Sequence, residues 1–193
     1  MTYDALNRMT SWSDGTLTES YTHRGIEAIR TSKTSNGETT SYLHDGARVL
    51  VEYENGTLAK QYIHGTYIDE ALAMYRSGNA SYYYHQNGLY NVAALTDETG
   101  TVVERYKYES FGTRSIFTSD GTARTTTAIA NHIGFTGRTH DDSGLMNYLN
   151  KFGFAAGYKG YDPVGELYYA AQLYLRGKTP PTNYSDSLTA TLK

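Results

Sequence analysis

Four histidines define the chemistry this chain could perform. They recur in a Tyr-x-His pattern: Tyr21-Thr22-His23-Arg24-Gly25, Tyr42-Leu43-His44-Asp45-Gly46, the shorter Tyr62-Ile63-His64-Gly65, and Tyr83-Tyr84-His85-Gln86-Asn87-Gly88. Successive histidines lie 21, 20 and 21 residues apart. Imidazoles brought into line along a sheet could hold zinc or copper. No carboxylate or Cys completes a local ligand set, however, and nothing matches His-Glu-x-x-His. The pattern therefore reads first as a repeat residue near a turn, with its ring packed on Tyr and bonded to backbone.

Two further sets of residues could act. Asp141-Asp142 and Asp162 could form a carboxyl pair in which each group tunes the other's pKa. Local roles account for the same residues, since Asp142-Ser143-Gly144 suits a turn and Asp162 a helix cap. The 20 tyrosines could present a platform for sugar or peptide, or hold neighbouring strands together through cross-strand pairs. Ser11, Ser20 and the other serines stand in no nucleophile elbow, and there is no Gly-rich phosphate loop. No catalytic, cofactor-binding or metal-binding residue is assigned, and the chain is read as non-enzymatic.

A fixed step near 20 residues is the mark of stacked repeat units, so the positioning elements are expected to be hairpins. Turn signals recur at Ser13-Asp14-Gly15, Ser35-Asn36-Gly37, His44-Asp45-Gly46, Glu54-Asn55-Gly56, Gln86-Asn87-Gly88 and Glu98-Thr99-Gly100. Asn-Gly and Asp-Gly favour two-residue hairpin turns. Between them lie short strands, clearest at Arg48-Val49-Leu50-Val51-Glu52-Tyr53 and Thr101 to Tyr108. In the latter, Val103, Arg105 and Lys107 share one face and Val102, Glu104, Tyr106 and Tyr108 the other. Neither face is purely apolar, which suits a sheet lined by polar and aromatic groups. Residues 116–132 read as a long surface loop, and a strand signal returns at Ile133 to Arg138. From Asp162-Pro163 the period changes. Val164, Leu167, Tyr168, Ala171, Tyr174 and Leu175 fall on one face of a helix expected at about 163–176, ended by Gly177 and Thr179-Pro180-Pro181.

Composition narrows the class. Of 193 residues 39% are apolar, with 19 Gly, 3 Pro and no Cys. That excludes disulfides and thiolate metal sites and points to an antiparallel β protein. A net charge of −3 supplies no basic field for a nucleic acid backbone. No apolar stretch is long enough for a membrane helix, and the N-terminus lacks the pattern of a secretory signal. Met1 falls within a repeat unit, which suggests a fragment or remnant of a longer parent.

Several segments resemble the RHS/YD-repeat family. They are Tyr3-Asp4-Ala5-Leu6-Asn7-Arg8-Met9-Thr10, the Tyr-x-His-x-Gly ladder, the block from Tyr83 through Val92-Ala93-Ala94-Leu95-Thr96-Asp97 to Tyr108-Glu109-Ser110-Phe111-Gly112, and Ile133 to Arg138 followed by Asp142 to Tyr148. The resemblance spans residues 2–149. It implies a β ribbon spiralling into a hollow shell that encloses a toxic or unfolded cargo, in a toxin, wall-associated or cell-surface protein. In the family the core ends in an Asp-Pro stretch linked to self-cleavage. Here Leu149-Asn150-Lys151-Phe152-Gly153-Phe154 replaces the expected run, so that function is not carried over. Residues 161–181 resemble PilY-type pilus-tip adhesins.

The expected fold is thus mainly β: an antiparallel meander of hairpin repeats over 1–149, followed by a divergent tail over 150–193 with one short helix. The expected role is a shell or scaffold segment of a secreted or cell-surface protein. Its expected partners are the rest of a longer parent, its cargo, or further copies paired through open sheet edges, and it needs no cofactor. The alternatives are a secreted adhesin with a Tyr-rich binding face, and a self-cleaving aspartyl core end acting through Asp142 and Asp162.

Overall fold

The computed structural model describes residues 1–25, 29–46, 48–67, 69–78 and 80–147. The expected helix at about 163–176, its Asp162 cap and the tail over 150–193 lie outside the described residues. The strands are β1 (Thr2–Tyr3), β2 (Met9–Ser13), β3 (Thr18–His23), β4 (Arg30–Ser35), β5 (Glu38–Asp45), β6 (Arg48–Glu54), β7 (Thr57–His64) and β8 (Ala71–Arg76). They continue as β9 (Ala80–Gln86), β10 (Val92–Asp97), β11 (Val102–Tyr108), β12 (Arg114–Thr118), β13 (Ala123–Arg124), β14 (Thr139–His140) and β15 (Met146–Asn147). The first 13 form one antiparallel sheet in strict sequence order, and β14 pairs with β15. Each strand from β2 to β12 therefore lies between its two neighbours in sequence, as a chain of hairpins requires.

Turn chemistry sets the joints. Asn36 (φ 50°) with Gly37 (φ 87°), and Asn55 (φ 49°) with Gly56 (φ 82°), occupy the two positive-φ positions that a tight hairpin demands. Asn87-Gly88 does not. It opens a longer loop in which the Asn87 side chain accepts from the Leu89 and Asn91 N–H groups, and Tyr90 takes the positive φ of 58°.

The same irregularity returns in successive hairpins. Register slips at Thr22/His23 against β4, at Leu43/His44 against β6, at Ile63/His64 against β8 and at Val92/Ala94 against β9. Thr31, Leu50, Leu72 and Ala93 are the extra residues. A bulge bends its strand and increases local twist, so these four hairpins share a bend at the same place.

One face of the sheet is covered. On its odd-numbered strands Tyr21, Tyr62, Tyr84 and Tyr106 are buried, and Tyr42 holds the matching position on β5. Opposite these tyrosines stand Lys33, Glu52, Met74, Leu95 and Ile116. These cross-strand partners thus grade from charged on β4 and β6 to apolar on β8, β10 and β12. There Met74, Val92, Leu95 and Ile116 join Ile129 and Ile133 in one apolar cluster. Leu95 is fully buried. Its replacement by Ala is expected to cost about 3 kcal/mol, combining lost transfer energy with a cavity, and urea unfolding of the variant reads that loss.

Two expectations are corrected. Residues 116–132 are not a surface loop: Ile116–Thr118 completes β12, Ala123–Arg124 forms β13, and Ile129 and Asn131 are buried. Ile133 to Arg138 is not a strand either. Only Ile133 makes a bridge, to Thr139, and a 3-10 turn at Phe135–Gly137 follows, with Thr136 at φ 48°. The chain over 127–147 leaves the sheet edge, crosses the inner face and returns on itself as a strap.

Candidate functional site

The inner face and the strap form the one polar interior among the described residues. Its units are Tyr–carboxylate pairs. Tyr21 donates to Glu19 at 2.8 Å, Tyr62 to Glu52 at 2.8 Å, and Tyr106 to Glu104. Burial is the main reason these three hydroxyls, and that of Tyr84, stand far above the usual phenol value. They are donors that stay protonated, not bases or nucleophiles. Cations complete the row. Lys60 Nζ lies 2.7 Å from Glu52, and Lys33 Nζ 3.7 Å from Glu19.

The strap closes over this row by contacts that run from β4 to β12. Thr127 donates its hydroxyl to Glu104 at 2.8 Å, and the Ala128 N–H donates to the other carboxylate oxygen. The Asn131 side chain accepts from Tyr84 at 2.9 Å, while its carbonyl accepts from Arg114 at 3.1 Å. Arg138 lies 3.2 Å from Asp69 in the β7–β8 loop. Gly137 (φ 66°) lies so close to that loop that a Cβ would come within 2.7 Å of the Asp69 carbonyl. Arg30 grips Asp141 with two bonds of 2.7 and 2.9 Å, and Lys33 reaches Asp142 at 2.9 Å.

The residues singled out in the sequence are placed as follows. His23, His44 and His64 share the inner side of β3, β5 and β7 with their tyrosines. The Tyr42 and His44 rings meet edge to face at 6.1 Å, and His64 donates from Nε2 to the Val49 carbonyl at 2.8 Å. Burial first, then Arg30 and Arg8, lowers the pKa of His23; burial lowers that of His44. The fourth histidine breaks the ladder. Register aligns Tyr84 and Gln86 with the earlier Tyr and His, so His85 faces outward and bonds Thr96 at 3.1 Å. Gln86 fills the vacated place. It donates to the Asp69 and Tyr90 carbonyls and accepts from the Ala71 N–H. Among the described residues no three His, Cys, Asp or Glu side chains converge as metal ligands.

Asp141 and Asp142 begin the expected turn, which the Gly144 N–H closes on the Asp141 carbonyl at 3.0 Å. Their carboxylates serve as anchors for Arg30 and Lys33, and Asp162 lies outside the described residues. The sequence reading placed Glu104 on the same face as Tyr106 and Tyr108, but it did not single out Glu19, Arg30, Lys33, Glu52, Lys60 or Asn131. For Glu19 and Lys60 the available signal was their parity with Tyr21 and Tyr62 on the same strand; Arg30, across a register shift, and Asn131, outside any strand, gave no such signal.

No protein-family model matches the chain. It is 33% identical over 86 residues to the tRNA3(Ser)-specific nuclease WapA of Bacillus spizizenii, a match covering 43% of this chain and 4% of that protein. Over 86 residues it is 31% identical to the tRNA nuclease WapA of Bacillus subtilis, with the same coverage. Over 43 residues it is 51% identical to a type IV pilus biogenesis factor PilY1 homolog of Xylella fastidiosa, covering 21% of this chain and 4% of that protein. Among solved structures, TcdB2-TccC3 shares 14% identity at a TM-score of 0.54, and TcdB2-TccC3-TEV 15% at 0.55. Each covers 77% of this chain and 8% of the solved one, and at such identity the likeness is one of fold. The chain spans about 4% of the length of the curated relatives it matches.

Proposed function

We propose that this chain, an RHS-repeat protein built as an antiparallel β-meander, is a non-catalytic length of shell wall belonging to a longer secreted or cell-surface protein of toxin type. One observation carries the reading. The inner face is filled by its own Tyr–carboxylate pairs and strap, in a sheet of 13 sequential strands. A face closed by its own buried polar pairs suits a rigid partition. The match to WapA nucleases covers a small share of those proteins, which supports a longer parent with any nuclease action located elsewhere. The likeness in fold to the TcdB2-TccC3 chain supports the wall.

A second reading, the binding module, rests on one exposed feature. Tyr67 and Tyr90 stack at 4.9 Å in adjacent loops, next to Leu89, which is 72% exposed. The rung tyrosines offer no such platform, because they face inward.

The test is incubation of the purified chain alone and with tRNA, followed on denaturing gels, with a glycan array in parallel. The wall reading expects intact protein, intact tRNA and no retained glycan. Cut tRNA, or self-cleavage lost in Asp162→Asn, overturns it in favour of an enzyme. Glycan capture lost in Tyr67→Ala overturns it in favour of an adhesin.

A further inference from the structure

Two imidazoles sit at the centre of the strap. His140 donates its backbone N–H to the His132 carbonyl at 2.8 Å, so the two residues are neighbours across the strap's own fold-back. The His140 side chain is buried, and its Nε2 accepts from the Phe135 N–H at 3.2 Å. That bond requires a neutral ring with its proton on Nδ1. The ring is pressed against Gly134, where a Cβ would come within 2.6 Å of it. An imidazolium has no acceptor nitrogen, so protonation of the ring leaves the Phe135 N–H without this partner.

The charges around the pair are mostly positive. His132 faces Glu52 of β6, with Nδ1 4.0 Å from the carboxylate, and also Lys60 of β7, Lys33 of β4, Arg114 of β12 and His140. His140 faces Arg114 and lies 6.1 Å from the Tyr108 ring of β11, with Asp141 next in the chain. Both nearby carboxylates are already engaged, Glu52 by Lys60 and Tyr62, and Asp141 by Arg30.

We propose that residues 127–147 form a proton-operated latch, in which protonation of His132 and His140 breaks the Phe135 N–H to Nε2 bond and lifts the strap from the inner face. The row from Glu52 to Glu104 is then opened to solvent. Burial, then Arg114, holds His140 down to about 3 in the closed form. Burial, then Lys60, Lys33 and Arg114, holds His132 well below its ordinary value. A base whose pKa is lowered by closure favours the closed form above about 6.5, its value when free, and loses that preference as pH falls toward the closed value. Each pH unit in that window raises the open-to-closed ratio by up to about tenfold per histidine. Free carboxylates titrate near about 4, so the fall from about 6.5 to about 5 belongs to the histidines.

The test is hydrogen exchange on the full chain at pH about 7.5 and about 5.5, expressed as protection factors and read at Ala128, Asn131, His140 and Asp141 against β7 to β9. Strap protection is expected to fall by about tenfold to a hundredfold at the lower pH, with β7 to β9 unchanged. In the His132→Gln/His140→Gln chain a Gln oxygen can accept from Phe135 without titrating, so strap protection should hold at both pH values. Unchanged protection in the native chain, or an equal loss in the double variant, overturns the latch. Should the double variant not fold, ring titration by NMR decides on the native chain. Both rings protonated near pH 6.5 under a still-protected strap overturns it, and rings that stay neutral until the strap opens support it.

Discussion

Replacing Asp141 with alanine destabilises the protein by about 4 kcal/mol in urea unfolding, because it strands a buried cation. The Arg30 and Asp141 side chains are 7% and 1% exposed, and their two parallel bonds form a fork geometry that neither partner can rebuild with water. Without the carboxylate, Arg30 keeps its place over the Tyr21 ring, 4.3 Å from the centroid, a contact too weak to offset a missing counter-charge. Asp142→Ala is the control. Its side chain is 50% exposed, so losing its bond to Lys33 should cost about 1 kcal/mol or less. The paired change Arg30→Met/Asp141→Leu should recover most of the stability, since apolar groups of similar size can replace a buried ion pair at little cost. An Asp141→Ala chain within about 1 kcal/mol of the native one would mean that the strap contributes little to holding β4.

That ion pair also marks the limit of what the sequence discloses. Local signals were readable, because their physics is local. Asn36-Gly37 and Asn55-Gly56 announce their turns through φ, and the strands from Arg48 and Val102 announce themselves by alternation. The spacing of Tyr-x-His gave the repeat but not its parity. Tyr83-Tyr84-His85 offers two tyrosines, and only cross-strand register shows that Tyr84 is the inward one. Tyr106-Lys107-Tyr108 is a further rung with Tyr in the His place, hidden for that reason. Glu19, Lys33, Glu52, Lys60 and Glu104 look like solvent-facing residues of amphipathic strands. They are interior because their partners stand on neighbouring strands or on the strap, where Thr127 caps Glu104. Small polar residues around Thr127 gave the strap the composition of a loop, although capping a buried carboxylate calls for the same residues.

Replacing Lys60 with methionine has an effect of similar size, and its pH dependence identifies the cause. Lys60 is almost wholly buried, with Nζ 2.7 Å from Glu52 and 3.8 Å from Glu54. Methionine fills the stem but leaves the Glu52 carboxylate, 3% exposed, with the Tyr62 hydroxyl and no compensating ammonium. The expected loss is about 4 kcal/mol near pH 8. His132 Nδ1 already lies 4.0 Å from that carboxylate, and Lys60 is the largest of the charges that oppose its protonation. Removing the ammonium therefore lets His132 in the folded variant take up a proton at a pH where the folded native chain does not. Because the variant's native state then binds more protons, its deficit shrinks as pH falls, by up to about 1.4 kcal/mol per unit through the range in which His132 titrates. Urea midpoints at pH about 8 and about 5.5 measure the change directly. In Lys60→Met/Glu52→Gln the charge is gone from both sides, so the deficit should be smaller and flat with pH. A single-variant deficit equally flat would show that the ammonium contributes through packing of its stem, and that His132 does not sense the charge of Glu52.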